Sequence, residues 1–380
     1  MAKKLKTEQK KARIIRYAIL GFVLLVSTAG GLLHQYGGAY KVVTFDALCP
    51  FGGLEALYSL IFTGTFLKRT AASNIILLAA VILLAFVFRR TFCGNICPLG
   101  TLQELFQKLR GKFLKKRFVI PEKADKYLRY LKYLVMVFFL AATFRLGYLV
   151  IRPYDPWGAY HHLTSKDLFI EFPIGFAVLV AALIGSFLYD RFFCKYLCPM
   201  GAFLGIAGKA GFFRIKRVDA TCIHCNLCTK ACPVNIKVHE LTEVLDAECI
   251  SCNECVNKCP VENTLVITSV SGKKTIKPLT LTIITFAVFF SIIAIGNITG
   301  NFKYFDTLGK AESIEKFNPD NIKGSSTFRS VINATGIPES DFISEFGITP
   351  QMLDTGIKES GVEPSRVRDY IRELQAKAAQ

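Results

Sequence analysis

The chain has 380 residues, 52% of them hydrophobic, and its mean hydropathy is +0.37. This hydropathy is unusual for a soluble protein of this length and indicates membrane-spanning segments. A net charge of +18 would suit nucleic-acid binding, but the basic residues cluster beside apolar segments, which excludes that class. Thirteen cysteines, grouped beside prolines and basic residues, indicate metal ligation in a reducing compartment rather than a secreted disulfide scaffold.

Five apolar segments approach the ~20 residues that a membrane-spanning helix needs. They are residues 17–33, 73–88, 131–151, 172–189 and 279–298. Lipid offers no hydrogen-bond partner to an open backbone, so each is predicted to be helical. Basic segments at residues 1–16 and 89–130 flank these helices and belong in the cytoplasm by the positive-inside rule. The N-terminus therefore reads as an uncleaved signal-anchor rather than a cleavable signal peptide.

This topology places residues 34–49 and 152–171 outside, and everything from about residue 300 onward outside as well. Residues 52–66 are apolar, but a sixth span there would move the basic segment outward. We therefore predict a re-entrant or interfacial helix on the outer side. Cys49, just before it, has two readings: a small apolar residue before Pro50, or an outer ligand or redox thiol.

The membrane segments contain an internal repeat. Each unit is an outward span, an outer loop with a Pro-aromatic-Gly turn, and an inward span ending in Arg-x-Phe-Cys-x3-Cys-Pro-x-Gly. Pro50 matches Pro156 in this alignment. The pattern predicts two parallel repeats around a pseudo-twofold axis along the membrane normal.

The ends of the two repeats carry the cysteines Cys93, Cys97, Cys194 and Cys198. On a helix, residues i and i+4 face the same way, and the helix is predicted to turn at the cysteine that precedes proline. Four converging thiolates match one [4Fe–4S] cluster, so we predict a third cluster at the cytoplasmic membrane surface. Redox-active dithiols, structural zinc and inert thiols are the alternatives. Arg90, Arg191 and Lys195 are expected to lower the thiol pKa values.

The phrase Cys-x2-Cys-x2-Cys-x3-Cys-Pro occurs twice between residues 222 and 260. This is the bacterial two-cluster ferredoxin pattern, in which the fourth cysteine ligates the other cluster. Paired zinc knuckles or disulfides do not need this doubled spacing. The predicted ligands of cluster 1 are Cys222, Cys225, Cys228 and Cys259, and those of cluster 2 are Cys249, Cys252, Cys255 and Cys232.

At these residues the chain resembles the NapH/NosR-type membrane polyferredoxins, a family of membrane-bound 4Fe-4S proteins. The resemblance covers roughly residues 15–300. It rests on the two Arg-x-Phe-Cys-x3-Cys-Pro ends, the loop Leu-Cys-Pro-Phe-Gly-Gly-Leu-Glu at residues 48–55 and the doubled ferredoxin motif. It implies electron transfer between a quinol or cytoplasmic donor and a redox partner outside the membrane. The NosR pattern has a preceding flavin-binding domain that this chain lacks, so a flavin protein would be a separate subunit.

Several single residues have both a structural and a functional reading. A quinone near Tyr154, Trp157 and His161 is one hypothesis, and an aromatic belt at the membrane interface is the other. His34 and His162 also lie at outer helix ends, where interfacial residues are common. His224, inside the first ferredoxin motif, is expected to tune the cluster rather than to ligate it.

The predicted fold is mostly α: a polytopic membrane protein with an inserted α+β 2[4Fe–4S] ferredoxin module and a small helical C-terminal domain. The segments are a cytoplasmic basic N-terminus (1–16), a membrane domain (17–210), a cytoplasmic ferredoxin domain (211–277), a last transmembrane helix (278–300) and an extracytoplasmic helical domain (301–380).

The predicted function is that of an electron-transfer subunit in the inner membrane, rather than a free-standing enzyme. Its partners are the lipid bilayer, redox proteins on both faces and an extracytoplasmic flavin-binding protein; nucleic acid is not among them. The alternative is a membrane iron–sulfur factor that supplies reducing power for metal-centre maturation or senses redox state.

Overall fold

The computed structural model describes residues 2–36, 50–63, 72–113, 118, 120–146, 150–164, 168–300, 317–322, 324 and 326–378. These residues form two compact units. One holds most of the described residues up to Gly300, and the other holds those from Phe317 onward. Cys49 and residues 64–66 lie outside the described residues, and so does the side chain of His34.

Eleven α-helices of the first unit precede its sheet in the described part of the chain. They are α1 (Ala2–Tyr36), α2 (Pro50–Thr63), α3 (Ala72–Phe88), α4 (Thr91–Asn95), α5 (Pro98–Phe113), α6 (Glu122–Leu146), α7 (Pro156–His161), α8 (Leu168–Glu171), α9 (Pro173–Leu188), α10 (Phe192–Tyr196) and α11 (Pro199–Ala207). Short 3₁₀ helices at Arg152–Tyr154 and Gly208–Ala210 connect them. The helix α2 has 14 residues, a rise of about 21 Å, consistent with a re-entrant or interfacial helix.

A helix covers most of the described residues in each of the five segments that the sequence predicts to span the membrane. Three are long and apolar enough to cross it: Leu5–Leu32, Glu122–Arg145 and Pro278–Ile298. The other two, Ser73–Phe88 and Pro173–Leu188, are apolar but shorter. The chain is therefore mostly helical with three candidate spans, and the five-span topology stays a prediction.

The basic N-terminus is part of a long helix. The helix α1 begins at Ala2, and its first turns contact the cysteine-rich segment, where Gln9 donates to the Cys259 carbonyl at 2.7 Å and Arg13 pairs with Glu254 at 3.0 Å. The sequence predicts only that the positive charge of residues 1–16 sets the orientation in the membrane. In the structure these residues also tie the first helix to the ferredoxin-like module.

That module is built on a three-stranded antiparallel sheet, β1 (Phe213–Arg217), β2 (Leu265–Ser269) and β3 (Thr275–Ile276). The pairing runs from Phe213 opposite Ser269 to Arg217 opposite Leu265. Two short helices, α12 (Leu227–Lys230) and α13 (Glu254–Lys258), follow the cysteine loops. 3₁₀ helices at Asp219–Thr221 and Val238–Glu240 complete the module, and α14 (Pro278–Ile298) follows it.

The second unit has its own hydrophobic core, formed by α15 (Phe328–Thr335), α16 (Glu339–Phe346), α17 (Pro364–Ala378) and 3₁₀ helices at Pro319–Asn321 and Pro350–Asp354. Phe328 and Phe342 are completely buried in that core. Gly336, Gly347 and Gly361 adopt φ of +74°, +62° and +82°, a conformation that glycine adopts without steric penalty. Gly336 ends α15 and Gly347 ends α16.

Replacing Phe328 by alanine should destabilise this second unit by about 3–5 kcal/mol, because the ring is lost from a closed core. Limited proteolysis of the full chain at increasing temperature would measure the loss. Met352→Ala is the control, since Met352 is 38% exposed and little packing is removed. Equal protease resistance of the two variants would contradict the assigned core.

Candidate iron–sulfur sites

Two cavities in the ferredoxin-like module are lined by four thiols each. The first is lined by Cys222, Cys225, Cys228 and Cys259. The second is lined by Cys232, Cys249, Cys252 and Cys255. These are the two predicted ligand sets, including the exchange of the fourth cysteine between motifs. His224 and Arg217 also line the first cavity.

The two cysteine loops share one backbone pattern. His224 and Asn226 in the first loop have φ of +51° and +59°, and Ser251 and Asn253 in the second have +49° and +59°. Left-handed conformations are unusual for residues other than glycine and concentrate at functional sites. Two such residues, one on each side of the motif's second cysteine, curl the loop and turn successive thiols toward one centre.

Burial favours the protonated thiol form of these cysteines over the thiolate form when no metal is bound. It raises the pKa of Cys232 to about 12, and it raises the pKa of Cys252 to about 11 although Arg16 acts in the opposite direction. All twelve described cysteines are free of disulfide bonds. Iron supplies the positive charge that keeps a thiolate deprotonated in a dry site. The donor set of each cavity therefore fits a [4Fe–4S] cluster.

The cysteines of the two Arg-x-Phe-Cys-x3-Cys-Pro-x-Gly motifs lie in loops of matching geometry. The amides of Ile96 and Cys97 both donate to the Phe92 carbonyl, and those of Leu197 and Cys198 both donate to the Phe193 carbonyl. Each short helix thus ends before its second cysteine, as the following proline predicts. The two cysteines of a pair are therefore held by a helix followed by a turn, rather than by one continuous helix face.

The four thiols of these loops lie close enough to influence one another. Cys93 and Cys194 both act on Cys97, whose pKa burial raises to about 12, and both also act on Cys198. The Gly201 amide donates to the Cys198 sulfur at 3.2 Å, and the corresponding amide of Gly100 acts on Cys97. Gln103 donates to the Cys194 sulfur at 3.1 Å. N–H donors at sulfur suit a cluster, and this third thiol group fits one.

Among the described residues, no three His, Cys, Asp or Glu side chains converge where a single metal ion would bind.

Each repeat sends a buried arginine across to the other. Arg191 donates to the Cys93 carbonyl at 2.8 Å, and its Nη1 lies 2.8 Å from where a Cβ on Gly100 would be. In the reverse direction, Arg90 Nη2 lies 2.8 Å from the Cβ position of Gly201. The arginine and the last glycine of the Arg-x-Phe-Cys-x3-Cys-Pro-x-Gly motif are therefore complementary between the two copies.

The Lys195 side chain is bound by groups other than the thiols. Its ammonium group pairs with Asp125 at 2.6 Å and donates to the Tyr189 hydroxyl at 2.6 Å. The two arginines do lower the pKa of Cys194, but burial outweighs them and the net shift is upward. Their larger role is structural, because the backbone contact of Arg191 holds the other loop in place.

A buried carboxylate, that of Glu104, joins the third thiol group to the first helix. It pairs with Arg16 at 2.8 Å and with Arg191 at 2.7 Å, and Tyr17 donates to it at 2.8 Å. Burial alone would raise the pKa of Glu104, but the two guanidinium groups hold it well below its usual range. Arg16 also bonds the Gly94 carbonyl at 2.8 Å and pairs with Glu254 at 3.2 Å.

The backbone segment that carries the first cysteine of the third thiol group packs directly against the loop that lines the second cavity. A Cβ on Gly94 would overlap the Ile250 carbonyl and lie 3.0 Å from the Cys252 amide. Asn95 donates to the Ser251 carbonyl at 3.2 Å. Arg90 pairs with Glu248 at 3.3 Å, just before Cys249. The loop after α3 is therefore docked on the backbone that carries the second cavity's ligands.

Sequence reasoning did not identify Arg16, Glu104, Glu248 and Glu254 as site residues. One signal was available: Glu104 is the first acid in the basic segment 89–130, and Arg16 directly precedes an apolar span. An isolated ion of this kind beside a membrane segment calls for a partner. The pairing itself joins residues more than 80 positions apart, so sequence spacing does not predict it.

The aromatic group near the predicted outer loop is closely packed. Trp157 stacks on Tyr160 with ring centroids 4.9 Å apart, and His161 contacts Trp157 edge-on at 4.5 Å. The His161 Nε2 lies 3.5 Å from the Ser27 hydroxyl. Tyr154 packs instead on Phe139, at 5.6 Å between ring centroids. These contacts show that the rings are closely packed; a membrane-interface belt and a quinone site both stay hypotheses.

Comparison with known proteins agrees with this geometry. The family model described as a 4Fe-4S binding domain matches residues 70–117 and 171–217, and the 4Fe-4S dicluster domain model matches residues 214–274. Both matches define the chain as a ferredoxin-type iron–sulfur protein. No solved structure matches the chain significantly.

Three curated relatives extend the match. The uncharacterized protein MJ0750 of Methanocaldococcus jannaschii is 36% identical over 53% of this chain and 79% of its own length. The putative electron transport protein YccM of Escherichia coli is 32% identical over 51% of this chain and 55% of its own length. The ferredoxin-type protein NapH of Escherichia coli is 27% identical over 58% and 73%. The chain belongs to the NapH/NosR-type polyferredoxin family, and it spans about half the length of YccM.

Gly100→Ala should destabilise the first unit by about 1–3 kcal/mol, because the new methyl group overpacks against the buried Arg191 guanidinium. Gly111→Ala is the matched control in the same helix, since nothing lies within 4 Å of its Cβ position; it should be neutral or stabilising. Thermal unfolding of the purified protein would compare them. Equal midpoints would rule out the arginine–glycine contact between repeats.

Glu104→Gln should cost about 3–5 kcal/mol, because it leaves two buried guanidinium groups without a counter-charge. Glu8→Gln removes an exposed pair with Lys277 and should cost less than about 1 kcal/mol. Since the Glu104 pKa is lowered on folding, its contribution is fully present above the ordinary Glu pKa of about 4.3. It decreases as the pH falls below that value.

Unfolding midpoints at a series of pH values would test this dependence. The gap between wild type and Glu104→Gln should be constant above about pH 5 and shrink in acid. A gap that widens in acid would contradict the assigned ion pairs.

Proposed function

We propose that this protein is a membrane-bound iron–sulfur electron-transfer subunit with three [4Fe–4S] sites. The observation that carries the proposal is the contact between the loop after α3 and the ferredoxin-like module. The backbone of Ile250 and Cys252, beside the second thiol-lined cavity, packs directly on Gly94, beside the third thiol group. Twelve cysteines are thereby gathered within one compact unit, an arrangement that suits electron transfer and not the binding of a large substrate.

Each proposed cluster has four thiolate ligands from this chain. Cluster 1 is assigned to Cys222, Cys225, Cys228 and Cys259; cluster 2 to Cys232, Cys249, Cys252 and Cys255; and the third to Cys93, Cys97, Cys194 and Cys198. When bound, such clusters supply one-electron redox chemistry whose potential depends on charge, hydrogen bonds and solvent exposure.

The protein's part is to hold the thiolates and to set those surroundings. Eight of the twelve cysteines are buried, three are half-buried, and Cys225 is exposed. The first site is therefore the one open to a soluble redox partner. The third is surrounded by the buried guanidinium groups of Arg90 and Arg191. Positive charge near a cluster stabilises its reduced, more negative state.

We further propose the membrane arrangement that the sequence indicates. In it, α1, α3, α6, α9 and α14 span the inner membrane, the ferredoxin module is cytoplasmic, and the residues after 300 are extracytoplasmic. Two matches of one family model and the matching loops after α3 and α9 support a duplicated membrane domain. The expected partners are redox proteins on both faces, with a quinone and an extracytoplasmic flavin-binding protein as candidates.

The deciding experiment is iron and acid-labile sulfide per polypeptide on anaerobically purified protein, with EPR of the reduced state. Three clusters predict about twelve irons. Cys97→Ser should remove about four irons and one EPR signal, while Cys252→Ser should remove a different signal. Ser186→Ala, near Gln103 but carrying no ligand, is the control that should keep all three.

About eight irons in the wild type would overturn the third site and leave its cysteines as dithiols or structural thiols. Loss of the same signal in both cysteine variants would overturn the division of ligands. The exposed position of Cys225 gives a second check, because oxidants in solution should destroy the first site's signal before the other two.

A further inference from the structure

The first unit buries six carboxylate side chains among its described residues, and five of them have a positive partner. The paired ones are Glu104 with Arg16 and Arg191, Asp125 with Arg129 and Lys195, Asp190 with Arg110, Glu248 with Arg90 and Lys132, and Glu254 with Arg13 and Arg16. The sixth, Glu55, is completely buried. Within the described part of the chain, no Lys or Arg lies within ion-pair distance of it.

Among the described residues, the polar groups that act on Glu55 are few: the Thr143 hydroxyl, the backbone of Ile151 and the carboxylate of Asp155. Thr143, itself fully buried on α6, donates to the Glu55 Oε1 at 2.9 Å. The Oε2 atom has no hydrogen-bond partner among the described residues, although the backbone of Ile151 lies nearby. On its own helix, Glu55 stands between the buried Leu54 and Ala56.

The helices packed most extensively against α2 add no compensating charge. They are α3, α6 and α11. Neither α3 nor α11 contains a titratable side chain. On α6, the charged residue nearest to Thr143 in sequence is Arg145, and it is exposed. Among the described residues, the titratable group whose charge acts on Glu55 is Asp155, which is acidic as well.

A buried carboxylate without a counter-charge is more stable as the neutral acid, because an ionised group is costly to remove from water. The other five carboxylates meet this cost with arginine or lysine. Binding a proton would remove this cost for Glu55. Ionisable groups inside apolar helices are functional candidates for this reason.

Glu55 also lies far from the thiols. A Cβ on the neighbouring Gly53 would overlap the Asn74 carbonyl in the first turn of α3, whereas Cys93 follows the other end of that helix. The 17 residues of α3 rise about 25 Å. The carboxyl group and the third thiol group therefore stand at opposite ends of one apolar helix.

We propose that Glu55 is a proton-binding site of the membrane domain, occupied at neutral pH, which exchanges its proton as the chain is reduced and oxidised. The inference rests on the proposed electron-transfer function. The exchange breaks and forms only the O–H bond of the carboxyl group, with water as the other proton carrier. The electrons come from an external reductant and are held at the iron–sulfur sites.

The coupling is electrostatic. Each added electron makes the domain more negative, and within apolar helices that charge is poorly screened. Reduction therefore favours the protonated form of Glu55, and ionisation favours the oxidised chain. It follows that the reduction potential of the coupled site becomes more negative as the pH rises, and that this slope disappears when Glu55 cannot ionise.

The test is an EPR-monitored redox titration of the full-length purified protein between about pH 6 and pH 9, with Glu55→Gln as the variant and Glu8→Gln as the exposed control. Infrared difference spectra of the oxidised and reduced protein give a second readout. We expect one pH-dependent potential in the wild type and in Glu8→Gln, and a carboxylic acid C=O band that shifts in D₂O. Both should be lost in Glu55→Gln, with iron content unchanged.

Two results would overturn the inference while leaving the proposed function intact. One is a full set of cluster signals whose potentials do not depend on pH. The other is a pH dependence and a carboxylic acid band that persist in Glu55→Gln. Absence of the cluster signals from the wild type would instead overturn the proposed function. If Glu55→Gln does not accumulate, Thr143→Val is the second variant; it removes the hydrogen bond to Oε1 and should displace the infrared band.

Discussion

The structure depends on the neutralisation of charge that is buried away from water. Glu104 stands at the centre of this constraint, because its carboxylate holds Arg16 and Arg191 together. Those arginines in turn bond the backbone carbonyls of Gly94 and Cys93. Removing any member leaves a buried ion without its partner, which costs more than the pair gains. Through Arg16, which also pairs with Glu254, these contacts link the first helix, the third thiol group and the ferredoxin-like module.

Close backbone approach is the second constraint, and it explains the glycines. Gly94 admits the Ile250 carbonyl, and Gly100 and Gly201 each admit the guanidinium group that comes from the opposite repeat. A side chain at any of these positions would separate elements that now touch. The same glycine thus serves two purposes in the motif: it follows the turn at the cysteine and proline, and it leaves room for the partner arginine.

Features that depend on residues close together in the sequence could be predicted. Features that depend on contacts between distant residues could not. The doubled cysteine spacing gave the two thiol sets that line the cavities, since ligands of one cluster are close in sequence. Apolar runs gave the positions of the helices, but not which of them are long enough to span. The pairing of Arg16 with Glu104 and Glu254 could not be predicted, because it depends on contacts between distant elements. The direction of Lys195, toward Asp125 and not toward the thiols, depends on the same packing.

Glu55 and Glu104 show how one constraint yields two kinds of site. Both carboxylates are removed from water. Beside two guanidinium groups, Glu104 is held ionised and contributes rigidity, since changing its charge would break the docking of three elements. Glu55 has no arginine or lysine partner among the described residues and is bonded by the Thr143 hydroxyl, so it can change its charge without separating an ion pair. A proton can therefore enter or leave at Glu55 while the thiol sites stay in place. Rigid support of the cysteines and a labile proton are compatible in one domain because they are located at opposite ends of α3.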